Sequence, residues 1–227
     1  MFLVDRSTKV KMAEAKVDTR ESIVESAREL FFDQGYTATG IAQILKKSGV
    51  NSGSLYHFFP TKEDLLVAVL EKYKGMLWPM VLEPAFSRVV DPIERLFAVL
   101  NGYRQLLMAT NFRLGCPIGN LALEMSNTHP QVRNLIVENF DGWRKAISQL
   151  VLDASDRLPA EVDAEALSFF VLATMEGSVM LARAHQDIKP FDAAVGSLRD
   201  QFDRLIRDGS EWSSPKQSKQ GNHDHSH

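Results

Sequence analysis

Apolar residues recur at intervals of three and four through most of this 227-residue chain, and no stretch alternates with period two. A chain patterned this way buries stripes rather than sheet faces, so the predicted fold is all-helical. Caps mark where helices begin. Asp18 with Glu21 has the form of a capping box ahead of Ile23, Ala27, Leu30 and Phe31, and that helix is predicted to end near Gly35. Thr61 with Asp64 opens another, carrying Leu66, Val69, Leu70, Tyr73 and Leu77 until Trp78-Pro79 interrupts it. Asp91, Pro92 and Glu94 open the next, with Ile93, Leu96, Phe97 and Leu100 facing inward. Further starts are expected near Cys116, Thr128, Asp163 and Asp192.

Composition divides the chain. Residues 1–17 and 211–227 are polar and without period, so both are predicted to be disordered; His223, His225 and His227 read as part of a solvated tail, and no metal site or cofactor is expected. Residues 18–64 contain short helices with glycine-bearing turns, and residues 65–210 contain longer helices with broad apolar faces. A single cysteine excludes a disulfide within the chain and fits a reducing compartment. The first residues hold no apolar stretch of signal-peptide length, so a cytoplasmic location is expected. The apolar segment from Glu165 to Arg183 is broken by Ser168, Thr174, Glu176 and Ser178; it reads as a buried helix, with no membrane partner expected.

Net charge is −3, from 26 basic and 29 acidic residues, so nucleic-acid affinity would require a local patch. The segment TGIAQILKKSGVNSGSLYHFF, Thr39 to Phe59, supplies one. Ile41, Ile44 and Leu45 give a first short helix its apolar side, Ser48-Gly49-Val50 makes the turn, and Asn51 caps a second helix anchored by Leu55 and Phe59. That second helix offers Ser52, Gly53, Ser54, Tyr56 and His57 outward. Between Tyr36 and Lys62 the charges are Lys46, Lys47 and Lys62 with no acid, and Thr39 and Lys62 would straddle the groove walls. Spacing and charge alone leave a bland αα-hairpin with a solvated face equally open.

Residues Thr19 to Leu66 resemble the DNA-binding domain of the TetR family of transcriptional regulators. The resemblance is carried by Ile23, Ala27, Leu30, Phe31, Gly35, Tyr36, Thr39, Ile44, Gly49, Val50, Gly53, Leu55, Tyr56, Phe59, Lys62, Glu63 and Leu65. It implies that the helix from Asn51 to Phe58 enters the major groove of a double-stranded palindromic operator, with Tyr56 and Lys62 on backbone phosphates. Leu45, Gly40 and Phe58 depart from the family's usual alanine, serine or threonine, and histidine; no phosphate contact is assigned to Phe58.

A lone helix-turn-helix reads few base pairs, so two copies are expected. Phe191, Val195, Leu198, Phe202 and Leu205 alternate spacings of four and three, the seam of a helix packed on another helix, and Phe170, Ala173 and Gly177 lie on a preceding helix that is apolar nearly all round. Both could be plain core; the resemblance favours a homodimer interface. A small-molecule effector is expected in the body, with Phe97, Phe112, Phe140, Trp143 and Met175 as lining and Glu124 and Glu176 as carboxyls that burial forces to be paired, protonated or ligand-bound. Cys116, Asn120 and Glu124 recur every four residues and share a helix face. The stretch GCPIGNLALE resembles a ligand-domain motif of a TetR branch that includes electrophile and oxidant sensors. A thiol near a helix N-terminus and Arg113 would be biased toward thiolate, although a buried cysteine usually behaves as a small hydrophobe.

These readings lead to a DNA-binding transcriptional regulator, a repressor released from its operator by an effector, with no catalytic residues. Two alternatives stand beside it: a DNA-binding dimer without an effector, and a thiol-dependent helical enzyme built on Cys116.

Overall fold

The computed structural model describes residues 6–125 and 130–212, with side chains for 18–125 and 130–206, and every regular element among them is helical. Residues 1–5 and the polar segment 213–227, including the three tail histidines, lie outside the described residues.

Three helices form the N-terminal module. Helix α1 (Arg6–Gln34) runs through Asp18, so the expected start there is not a helix end. Glu21 instead forms an ion pair with Lys72, which explains why an acid stands at that position. Gly35, at φ 87°, closes α1 as expected. Helices α2 (Ile41–Ser48) and α3 (Ser52–Phe58) are joined by Gly49 at φ 70°. A Cβ there would meet nothing within 4 Å, so the positive φ, not crowding, is what favours glycine. Ile23, Ala27, Phe31, Ile44, Leu55, Phe59 and Leu65 are buried together and lock the three helices into one unit.

Helix α4 (Lys62–Met76) leaves this module and enters the body, with Thr61 and Asp64 forming the expected capping box. Pro79 does not end the chain's helical course. A π-helical turn (Leu77–Leu82) carries it into α5 (Glu83–Phe86), where Trp78 stacks edge-on against Phe86 at 5.8 Å. The body then comprises α6 (Pro92–Ala109), α7 (Pro117–Met125), α8 (Pro130–Asp153), a short 3₁₀ turn, α9 (Ala164–His185) and α10 (Lys189–Trp212). Asp91 and Asp163 cap α6 and α9. The start expected near Thr128 lies outside the described residues. Helix α10 begins ahead of Asp192, whose carboxylate accepts from Arg104 Nε at 2.8 Å.

Helix α9 is long and apolar enough to cross a bilayer, yet it packs between α8 and α10. The proposed seam on α10 divides once burial is known. Phe191, Leu198 and Phe202 are fully buried inside the chain, with Phe202 stacked on Phe97 at 5.7 Å. They belong to the subunit's own core, and the spacing that marked them is that of helix packing within one chain. Val195 and Leu205 are half-buried on the same side. The exposed apolar face lies on α9: Phe169, Phe170, Met180 and Leu181 stand half open to solvent beside Ala173, with Gly177 among them.

Candidate DNA-reading helix and the cavity behind it

Helix α3 is held so that one face anchors and the other is offered. Leu55 is fully buried against the module core, while Ser52, Gly53, Tyr56 and His57 are exposed and Ser54 is half-exposed. Asn51 Oδ1 accepts from the Ser54 N–H at 2.9 Å, so this side chain serves as the helix cap. Lys46 is exposed on α2; Lys47 is exposed beside it and paired with Glu29 at 2.8 Å.

Two expected groove contacts are structural in the chain itself. Thr39 is buried, its hydroxyl donating to Gly35 O at 2.7 Å and accepting from Gln34 Nε2 at 3.1 Å, so it stabilises the elbow between α1 and α2 and does not face a groove. Lys62 donates to Tyr36 O at 2.6 Å and stands 4.1 Å from the Tyr36 ring centroid. Partial burial lowers its pKa, opposed by the charge of Glu124. Its cation clamps α4 to the elbow rather than standing free.

Behind the module lies a cavity of about 880 Å³, large enough for a drug-sized molecule. Its wall draws on six helices: Phe32 of α1, Tyr73 and Leu77 of α4 and the turn after it, Ala85 of α5, Val99, Tyr103 and Leu106 of α6, Cys116 and Ile118 at α7, and Asn139 and Trp143 of α8. The lining is mostly apolar, with a polar inner corner, and it also includes Lys74, paired with Glu138 at 2.6 Å, and the exposed Arg88. Tyr73 is buried and its hydroxyl has no hydrogen-bond partner; burial pushes its pKa up to about 12. Tyr103 is buried beside Cys116 and its pKa is likewise driven upward by burial.

The Cys116 thiol accepts from the Gly119 N–H at 3.5 Å and lies against the Glu176 carboxyl. Burial, and then the charge of Glu176, push the thiol's pKa well up, which reverses the expected bias toward thiolate. Arg113 does not counter this, because its guanidinium pairs with Asp33 at 2.6 Å. Burial also raises Glu176, whose Oε1 has no partner.

The cavity includes Cys116 and Trp143 but not the other expected lining residues. Phe97 is packed under Arg199 and against Phe202. Phe112 and Phe140 pack against the core without reaching the cavity wall. Met175 lies with Leu96, Leu100 and Trp143 around a separate small gap. Asn120 Oδ1 accepts from Arg183 Nη1 at 2.7 Å, and Glu124 Oε2 accepts from the Thr37 N–H at 2.9 Å. Glu176 stands behind Cys116, not in the wall. Sequence reasoning passed over Phe32, Tyr73 and Tyr103 as wall residues; for the two tyrosines the available signal was a hydroxyl on an otherwise apolar helix face, and for Phe32 there was none.

The motif glycines now have a physical reason. A Cβ on Gly115 would come within 2.9 Å of Arg183 Cδ, and one on Gly119 would collide with the Glu176 carboxylate. Both glycines let side chains of α9 cross α7 closely.

A compact helix-turn-helix module joined through α4 to a larger helical body has the architecture of a DNA-binding regulator. The comparisons with known proteins give its family. Residues 23–69 match the family model "Bacterial regulatory proteins, tetR family", and residues 92–198 match "Tetracyclin repressor-like, C-terminal domain". The chain is 30% identical over 173 residues to the HTH-type transcriptional regulator YxaF of Bacillus subtilis, covering 76% of this chain and 89% of that one. It is 23% identical over 180 residues to the HTH-type transcriptional repressor DhaR of a Mycobacterium species, covering 78% and 89%. Among solved structures, a TetR transcriptional regulator from Chloroflexus aurantiacus superposes with TM-score 0.68 at 31% identity, covering 82% and 94%. The chain belongs to the TetR family of transcriptional regulators, whose members bind operator DNA as dimers. Its relatives are regulators, not enzymes, and burial with the Glu176 charge raises the Cys116 thiol's pKa, the opposite of what an activated nucleophile requires.

Proposed function

We propose that this protein is a homodimeric repressor that leaves its operator when a small, uncharged, largely apolar molecule fills the cavity. The observation that carries the reading is the cavity's position: its wall includes Phe32 of α1 and Tyr73 of α4, the two helices on which the DNA-reading module is mounted. A ligand there touches the module directly. Protonated Tyr73, Tyr103 and Cys116 at the inner corner, next to Glu176, favour a neutral ligand presenting a hydrogen-bond acceptor and disfavour an anion.

On DNA, α3 lies in the major groove, with Ser52, Gly53, Tyr56 and His57 toward base edges and phosphates and Lys46 and Lys47 on the backbone. Two subunits meet through the exposed face of α9 at Phe170, Ala173 and Gly177, where small residues allow close approach. The repressor direction is supported by the relative DhaR, an HTH-type transcriptional repressor. The test is operator binding by fluorescence anisotropy on a palindrome selected from random duplexes, followed by a thermal-shift screen of neutral and anionic compounds. Neutral hits that release the duplex are expected; equal affinity for palindromic and random DNA, or release by anions alone, would overturn the reading.

A further inference from the structure

We infer that Glu124 is a positioning residue for DNA reading: through α7 it ties the cavity wall to the elbow between α1 and α2, and so sets how the reading helices are held. Helix α7 presents Cys116, Asn120 and Glu124 on one face, and the three meet different partners. Cys116, just before the helix, forms part of the cavity wall, and Ile118 in its first turn faces the same space. Asn120 is fixed by Arg183 of α9, whose second guanidinium nitrogen donates to Arg113 O at 3.1 Å. Glu124, roughly 12 Å along the axis from Cys116, reaches out of the body and accepts from the Thr37 N–H at 2.9 Å.

The fit at the elbow is close. A Cβ on Gly35 would stand 2.6 Å from Glu124 Oε1, so the glycine that ends α1 also admits this carboxylate. The same elbow holds Thr39, buried beneath it, and the Tyr36 carbonyl that Lys62 grips. Among the ties that join α7 and its approach to the module are two between named polar groups, Glu124 to Thr37 and Arg113 to Asp33. The second is between exposed side chains and contributes little. The first is a charge-assisted bond to a backbone amide, the stronger kind, and it acts on the segment that leads into α2. A shift of α7 driven from the cavity is passed to the elbow through this bond. That last step rests on the effector reading above; the anchoring itself does not.

The experiment uses the full chain and three variants: Glu124→Ala, Glu124→Asp and Glu124→Gln. Hydrogen exchange is followed in peptides spanning residues 35–40, together with affinity for the selected palindrome. Aspartate keeps the charge but is one methylene short of Thr37, whereas glutamine keeps both the reach and an acceptor. Glu124→Ala and Glu124→Asp are expected to speed exchange at the elbow at least tenfold and weaken operator binding about tenfold, with peptides of α8, α9 and α10 unchanged. Glu124→Gln, which keeps the reach and an acceptor but loses the charge, is expected to fall between the parent and Glu124→Ala in both readouts. Parent-like exchange and affinity in Glu124→Asp would overturn the inference, as would a glutamine variant as impaired as alanine, or faster exchange spread over the whole chain. The ligand arm is separate. If no compound stabilises the protein while the alanine and aspartate variants behave as expected, the effector reading fails and the anchoring stands.

Discussion

The module and the body treat polar groups in opposite ways. In the module they are satisfied by near neighbours: Asn51 caps α3, Thr61 and Asp64 reciprocally cap the start of α4, Thr39 both donates and accepts, and Lys62 is spent on Tyr36. In the body, Tyr73 Oη, Glu176 Oε1 and Arg183 Nε are buried without partners around or behind an open volume. Unpaired buried polar atoms cost stability, and a bound molecule of the kind proposed above would recover part of it. The contrast separates a part whose polar groups are closed on one another from a part that leaves some of them open.

The sharpest break comes from core truncation. Leu55→Ala, at a fully buried and closely packed site, is expected to cost about 3 to 5 kcal/mol and abolish operator binding, whereas Leu106→Ala at the cavity wall should cost about 1 to 2 kcal/mol because that side chain already faces open space. Urea melts followed by circular dichroism measure both. Equal losses would erase the distinction. Next in size, Lys46→Ala combined with Lys47→Ala should weaken operator binding roughly tenfold and reduce the log–log salt slope by about 2, since each neutralised phosphate contributes nearly one unit. A salt slope unchanged in anisotropy titrations would remove these lysines from the DNA backbone.

A pH pair then sharpens the comparison. Glu25 is held at about 2, chiefly by its hydrogen bonds with Arg28 and also by Lys72, so its stabilisation is present above the ordinary carboxylate range and is lost as pH falls toward 2. Glu25→Gln should therefore cost about 1 kcal/mol at pH 7 after allowance for solvent screening, and nothing near pH 2. Glu176 is raised by burial, so its protonated form suits the fold: stability is fullest below the ordinary value of 4.5 and declines as pH rises through the raised one. Glu176→Gln should raise the melting temperature at pH 7, with the gain fading at acid pH. The smallest effects are expected from hydroxyl deletions of opposite sign. Thr39→Val removes two satisfied bonds and should cost about 1 kcal/mol, while Tyr73→Phe removes an unpaired hydroxyl and should be neutral or slightly stabilising.

How much can be read without a structure follows the same division. Caps at Asn51, Thr61, Asp91 and Asp163 act on amides two or three residues away, so local sequence carries them, and with them the helical fold and the turn at Gly49. The cavity wall is assembled from side chains on α1, α4, α5, α6, α7 and α8, and nothing local marks Phe32 as lining and Phe97 as core. Chemically alike residues differ there only in what happens to stand opposite. The α10 seam fails for a related reason: Phe191, Leu198 and Phe202 have a packing period that is the same whether the partner is another chain or α9 and α6. Glu124 is the instructive intermediate, since its spacing from Cys116 is legible but its partner, the Thr37 amide, lies 87 residues away in sequence.

The central claim is that filling the cavity moves the two reading helices relative to each other. Spin labels at His57→Cys in a Cys116→Ser background, read by double electron–electron resonance on the dimer, measure that separation directly. Without ligand the distribution should accommodate recognition helices roughly 34–36 Å apart, one turn of duplex, and a ligand from the thermal-shift screen should displace it by several ångström. A ligand shown to occupy the cavity that leaves the distance distribution unchanged would contradict the account.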